Sequence, residues 1–268
     1  MDKFYGEVVV ITGGGQGIGK AAALKFAEEG AQLAIIDINK ELGEQTVAEI
    51  KGKGGKAEFF YADVSNMKDV KNAVDDIIDK YKRIDVLYNN ASIFLPKKDG
   101  KIVEIEEEVW DKIIAVNLKS IYLFCKFVIP HMIKLGKGSI INTSSSCGLI
   151  GIPDCDAYSA SKGATAALTR SMAVEYGSKN IRINCIAPAA IKTPMLTSSD
   201  TGNDDFDEER FLNLRSPIRR YGDPEEIGNI AVFLASKEAS FINGAIIVAD
   251  GGITISGDLS KIAKDYKL

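Results

Sequence analysis

Histidine is almost missing from this chain. Among 268 residues there is one, His131, alongside a single tryptophan, Trp110. One histidine excludes Ser-His-Asp and Cys-His catalysis unless His131 itself serves. It lies in "FVIPHMIKLGKG", which reads as a helix end where a cation suits the dipole. Four cysteines, Cys125, Cys147, Cys155 and Cys185, contain no CxxC pair, and with one histidine they suggest no metal site. They are expected as small, free, buried or half-buried thiols in a reducing cytoplasm. Cys147 and Cys155 flank the stretch "DAYSASKGA" and would modulate it if oxidised. Excess positive charge is lacking too. The net charge of −4 leaves no footprint for nucleic acid. There is no run of 18 apolar residues, so no membrane span is expected. "MDKFYGEVVVITGGG" has no basic stretch followed by a long apolar one, so no signal peptide is expected. No repeat and no Pro/Gly/Ser-rich linker interrupts the chain, which reads as one domain over residues 1–268.

What is present is alternation. "EVVVIT" (Glu7–Thr12), "AQLAIID" (Ala31–Asp37), "KAEFFYADV", "IDVLYNNA", "GSIINTSS", "IRINCIAP" and "GAIIVADGG" are short apolar runs. Segments of helical spacing separate them, including a long one over Val109–Leu135 and another over Ala157–Lys179. Strands alternating with helices imply βαβ units, and runs apolar throughout imply strands buried on both faces. The expected fold is α/β: a doubly wound, Rossmann-type seven-stranded parallel sheet with helices on both faces. Two polar segments follow strands, Phe94–Ile105 and Lys192–Gly222. Loops after the carboxyl ends of strands build the crevice of such a sheet. The second is long enough to be expected as a substrate lid over residues 192–222. The tail, residues 254–268, extends beyond the last strand.

The first strand runs into "TGGGQGIG", which places glycines between a strand and a helix. There the backbone can approach a pyrophosphate and the helix N-terminus favours the anion. Gly13, Gly15, Gln16, Gly17, Ile18 and Gly19 are the candidate phosphate-side residues. The spacing Gly13-x-x-x-Gly17-x-Gly19 is not GxGxxG, because residue 18 is Ile. Asp37 ends the second strand 20 residues after Gly17, where a carboxylate accepts from ribose hydroxyls and repels a 2′-phosphate. Neither Gln16 nor Ile38 supplies a cation for that phosphate. The expected cofactor is NAD, not NADP.

Tyr158 and Lys162 stand four apart, on one helix face. An ammonium beside a phenol lowers the phenol pKa, which suits proton transfer near neutral pH. "TSSS" offers Ser144, Ser145 and Ser146 as groups to hold a substrate oxygen.

Together these motifs resemble the short-chain dehydrogenase/reductase family in its form of about 250 residues. The resemblance spans nearly the whole chain: "TGGGQGIG", "DV" at Asp63–Val64, "NNAS" at Asn89–Ser92, "VNL" at Val116–Leu118, "SIINTSS", "YSASK", "RINCIAP" and "DGG". It implies Tyr158 as acid–base catalyst and Lys162 on the nicotinamide ribose. Ser145 would bond the substrate oxygen, and Asn117 would hold a helix distortion and a water in a proton relay. Asp63 and Val64 would contact adenine, and Asn90 and Ala91 would line the cofactor. The segment from Pro188 through Ile191 to Thr193 would embrace the nicotinamide. The family usually has Gly where this chain has Ser92 and Ala189, so the backbone near the nicotinamide is expected to differ slightly. The family also implies a homotetramer or dimer on the two long helices and the last strand. In the second helix Ala164, Ala167, Leu168, Ser171 and Met172 make a helical stripe.

The function expected is NAD-dependent interconversion of a secondary alcohol (sugar, polyol, diol, steroid or other cyclic alcohol) and its ketone. The alternatives are a 3-oxoacyl-carrier-protein reductase and a non-catalytic nucleotide-binding regulator. The last should lack part of the Asn–Ser–Tyr–Lys set, and this chain has all four.

Overall fold

Strand β1 (Val8–Thr12) is buried along its whole length. Val8 and Val10 enter one hydrophobic core, Val9 and Ile11 the other. That two-sided burial is what a central parallel strand requires. The computed structural model describes residues 3–198 and 216–257. Six more strands complete one parallel sheet: β2 (Gln32–Asp37), β3 (Lys56–Tyr61), β4 (Val86–Asn89), β5 (Gly138–Thr143), β6 (Ile181–Pro188) and β7 (Ile246–Ala249), in the order β3-β2-β1-β4-β5-β6-β7. The order reverses between β1 and β4, the place where an open α/β sheet forms its crevice.

Helices α1 (Gly17–Glu28), α2 (Lys40–Gly52) and α3 (Met67–Tyr81) follow the first three strands. Asn39 caps α2 by accepting from the Leu42 amide, and Asn66 caps α3 by accepting from Lys68 and Asp69. Helix α4 (Glu107–Ile114) continues through a π turn (Ala115–Lys119) into α5 (Ser120–Leu135). Then come α6 (Asp156–Tyr176), a short α7 (Pro194–Ser198) and α8 (Pro224–Ala235). Glu226 accepts from the Asp223 amide at 2.8 Å and closes the N-terminus of α8.

The stretch Glu107–Leu135 is long and apolar enough to cross a membrane by length and composition, although it has no unbroken apolar run. Half of its most apolar window is buried. Leu123, Phe124, Val128 and Met132 belong to the core under the sheet. That is the position of a core helix.

Several strands stop earlier than their apolar runs. β4 ends at Asn89 because the Asn90 and Ala91 amides turn to donate to the Thr12 hydroxyl, both at 3.0 Å. β5 ends at Thr143 because Ser144 turns its hydroxyl onto the Lys162 carbonyl at 2.7 Å, and Ser145 starts a 3-10 turn (Ser146–Gly148). Of the expected lid, residues 199–215 lie outside the described residues. So do residues 258–268 of the tail.

Candidate active site

The glycine turn after β1 is built from backbone that only glycine adopts comfortably. Gly13 and Gly17 have φ of 64° and 54°. Gly19 starts α1 so close to the turn that a Cβ there would lie 2.1 Å from the Gly13 carbonyl oxygen. Asp37, at the end of β2, accepts from the Gly15 amide at 2.9 Å and from the Asn39 amide at 2.9 Å. The same carboxylate therefore sets the turn and faces the crevice. Next to it Ile38 is exposed.

At the other end of the crevice stand the polar groups of β5 and α6. Lys162 is only 1 % exposed. Its Nζ donates to the Thr143 carbonyl at 3.0 Å and lies 5.5 Å from the Tyr158 ring centroid. Burial lowers its pKa to about 8. Tyr158 departs from the expectation drawn from spacing. In the chain alone its pKa is raised, not lowered, because loss of solvent around the phenol outweighs the other influences and the Cys147 sulfur nearby adds to the rise. Ser145 and Ser92 face the phenol and pull the other way. Lys162 sends its ammonium to a main-chain carbonyl instead, and the same burial lowers its own pKa.

The three serines of "TSSS" point in three directions. Ser144 is tied to the α6 backbone. Ser145 faces Tyr158 while accepting from the Cys147 amide at 3.2 Å. Ser146 is directed to the Cys147 thiol. Asn117 sits inside the π turn and is buried. Its side chain accepts from the Ile93 amide at 2.8 Å and donates to the Ile93 carbonyl at 3.0 Å and to Ser161 at 3.2 Å. It clamps the helix distortion to the loop after β4.

One cavity of about 1180 Å³ joins the two ends. Every cofactor-binding and catalytic residue named from the sequence lines it except Gly15, Gly19 and Asn117, which support its walls from behind. Asp63 faces it while accepting from the Ser65 amide and hydroxyl. Thr193 packs beside the glycine turn: a Cβ on Gly17 would lie 3.3 Å from its methyl. Ala189 is not among the residues of positive φ, so alanine fits there without strain.

Three residues had no role assigned from sequence, Ser92 being noted only as standing where the family has glycine. Thr143 and Ser92 line the cavity with buried hydroxyls that have no well-formed hydrogen bond among the described residues. Asp99, 5 % exposed, accepts from the backbone amides of Ala157 (3.1 Å) and Tyr158 (2.9 Å) and so caps α6 from the Phe94–Ile105 loop. Thr143 is signalled only by standing before the serines. For Asp99 the sequence gives no signal beyond a polar loop. Among the described residues no group of three or more His, Cys, Asp or Glu comes together.

The unpartnered hydroxyls, a buried ammonium with donors to spare and a glycine cradle facing an acid fit a dinucleotide with its two riboses. A family model described as Enoyl-(Acyl carrier protein) reductase matches residues 13–254. The chain is 41% identical to 3-oxoacyl-(acyl-carrier-protein) reductase of Thermotoga maritima, over 94% of this chain and 100% of that one. It is 40% identical to cyclopentanol dehydrogenase of Comamonas sp., over 95% of this chain and 99% of that one. The crystal structure of levodione reductase superposes with a TM-score of 0.90 at 36% identity, covering 95% of this chain and 100% of that one.

Proposed function

The chain belongs to the short-chain dehydrogenase/reductase family, whose members are oxidoreductases that use NAD or NADP, and from that premise we propose that it is an NAD-dependent dehydrogenase interconverting a cyclic secondary alcohol and its ketone. The observation that carries this reading is the cavity itself. Asp37 stands at one end with no cation beside it among the described residues, and Tyr158, Ser145 and Lys162 stand at the other against an apolar wall. That wall comes from Phe94, Ile150, Ile152, Pro153, Met195 and Leu196. The Phe94 ring lies 4.9 Å from the Tyr158 ring, centroid to centroid. Such a wall suits an alicyclic substrate better than a polyol.

The bound cofactor supplies hydride acceptance and donation. The chain supplies everything else. Asp37 takes the adenosine ribose hydroxyls and rejects a 2′-phosphate. Asp63, Val64, Asn90 and Ala91 hold the adenine side. Pro188, Ile191 and Thr193 flank the nicotinamide. Lys162, through its free N–H bonds, holds the nicotinamide ribose, and its positive charge favours the Tyr158 phenolate. Ser145 bonds the substrate oxygen, and Tyr158 takes or delivers the proton there. Asn117 keeps the π turn in place. The lid over residues 192–222 and a cytoplasmic site remain part of the proposal, as does a homotetramer or dimer. Of the stripe on α6, Ala167 and Ser171 stay exposed and Ala164 is half-exposed, whereas Leu168 packs against the core and Met172 is buried in it. This small-residue face supports docking of a second copy.

A 3-oxoacyl-carrier-protein reductase is the second reading, favoured by the identity to the Thermotoga maritima reductase. Titration with NADH and NADPH separates the two. Tight NADH binding, weak NADPH binding and NADH-dependent reduction of cyclopentanone or cyclohexanone are expected. Preference for NADPH with turnover of a 3-oxoacyl thioester would replace the first reading by the second.

A further inference from the structure

Two thiols meet at the substrate end of the cavity, and hydride transfer uses neither. Cys147 sits in the 3-10 turn after β5, and Cys155 ends the loop that leads into α6. Gly148 fixes the first position. Its backbone lies so close to α6 that a Cβ would fall 2.6 Å from the Lys162 carbonyl carbon. Asp154, in a left-handed conformation at φ 59°, turns the chain back and fixes the second. The two thiols adjoin each other closely enough that each alters the other's titration, and both line the cavity. Cys155 Sγ also lies 3.4 Å from the Ile152 carbonyl oxygen and 3.4 Å from Ser159 Oγ. Cys147 is partly exposed, and the neighbouring Cys155 thiol and Ser145 and Ser146 hydroxyls favour its thiolate. The other two thiols are different. Burial pushes Cys125 up to about 12 and Cys185 up to about 11, and neither lines the cavity.

We propose that Cys147 and Cys155 form an oxidisable dithiol site that takes a hydroperoxide, and that the disulfide between them obstructs the substrate end of the cavity. The obstruction rests on the proposed function, which places the substrate beside Tyr158; the dithiol itself does not. The Cys147 thiolate attacks a peroxide oxygen. An S–O bond forms as the O–O bond breaks, and the leaving alkoxide or hydroxide takes a proton. Sulfur has lost two electrons and is a sulfenic acid. Cys155, giving its proton to water, attacks that sulfur. The S–S bond forms, the S–O bond breaks, and hydroxide leaves as water. Two thiols and one hydroperoxide thus yield one disulfide, one alcohol (water, from hydrogen peroxide itself) and one water. A small-molecule dithiol reverses the bridge. Both sulfurs lie within electrostatic reach of the Tyr158 phenol, so the bridge ties two pocket walls together in front of the reacting group.

The test treats the native full-length protein with hydrogen peroxide, blocks remaining thiols and maps the peptides. The expected map shows Cys147 joined to Cys155 and leaves Cys125 and Cys185 free. NADH binding persists. Ketone reduction falls in proportion to the bridged fraction and returns with dithiothreitol. Cys155→Ser leaves Cys147 as a sulfenic acid that dimedone traps, and a C147S/C155S variant keeps its own untreated activity through peroxide. Free Cys147 and Cys155 after treatment, or a bridge to Cys125 or Cys185, overturns the site. A complete bridge with unchanged turnover overturns the obstruction. A protein that reduces no ketone even before treatment overturns the proposed function instead, and the peptide map still decides the dithiol.

Discussion

Asp99 ties a loop outside the catalytic set to the residue at its centre, and replacing it tests how far that tie matters. The carboxylate is nearly enclosed and receives three backbone amides: Gly100 (2.9 Å) in its own loop, Ala157 (3.1 Å) and Tyr158 (2.9 Å) at the start of α6. Asp99→Ala removes a helix cap, which costs about 1 kcal/mol. It also leaves two inward-facing helix-end amides without their acceptor, which adds about 1–3 kcal/mol. The expected loss of folding stability is about 2–4 kcal/mol. The Gly100 carbonyl still accepts from the Asp156 amide at 3.1 Å, and Asp156 still accepts from the Ile102 amide at 2.9 Å, so the loop stays attached. The first turn of α6 loosens, and Tyr158 with it. A small misplacement of the proton donor lowers turnover by up to about a hundredfold. Urea unfolding measures the first effect, and kcat against KM for a cyclic ketone measures the second. Asp99→Asn keeps one acceptor oxygen and should recover about half of the stability. An Asp99→Ala protein that unfolds within about 0.5 kcal/mol of wild type would refute the capping argument. Normal stability with a lowered kcat would place Asp99 in the chemistry instead.

Tyr158→Phe is expected to keep NADH binding and to lose nearly all turnover; full turnover would remove Tyr158 from the proton path. Asp37→Ala removes a charge that, about 4 Å from a 2′-phosphate, repels it by several kcal/mol per unit charge. NADPH affinity should rise at least about tenfold and NADH affinity fall, as read by titration of cofactor fluorescence. Lys162→Met should abolish turnover yet stabilise the cofactor-free protein at pH 7 by about 1–3 kcal/mol, since a buried ammonium is traded for an apolar chain. In the wild type the folded chain holds Lys162 near 8 and the unfolded chain near 10.5. Between those values the unfolded state binds more protons, so stability rises with pH from about 8 to about 10. Unfolding midpoints across that window should lose this slope in Lys162→Met.

Much of the fold could be read because each local signal agreed with the next. β6 coincides with "IRINCIAP", and the glycine turn falls between β1 and α1 as its residues require. What could not be read is what depends on partners distant in sequence. Asp99 meets α6 across 58 residues, and Asn90 meets Thr12 across 78. The pKa of Tyr158 went the other way because the i, i+4 rule sees the ammonium but not the water lost around the phenol. For Cys147 and Cys155, eight residues apart, the sequence suggests modulation on oxidation but not that the two thiols meet. The left-handed turn at Asp154 that brings them together leaves no mark in hydropathy.

The π turn at Ala115–Lys119 has a consequence for how this helix tolerates length change. A wide turn holds one residue more than the regular ladder. Removing a single residue there would restore the regular ladder and leave the two halves of the helix in nearly their present phase, so Ile113 would stay buried and Phe124 and Val128 would stay in the core. What the deletion would break is the clamp between Asn117 and Ile93, and with it the tie to the loop after β4. A one-residue deletion in the regular ladder of α5 has no wide turn to absorb it and swings one half of the helix about 100° against the other. A deletion in the π turn should therefore spare folding and damage the site, whereas a deletion within α5 should be as damaging as loss of the core.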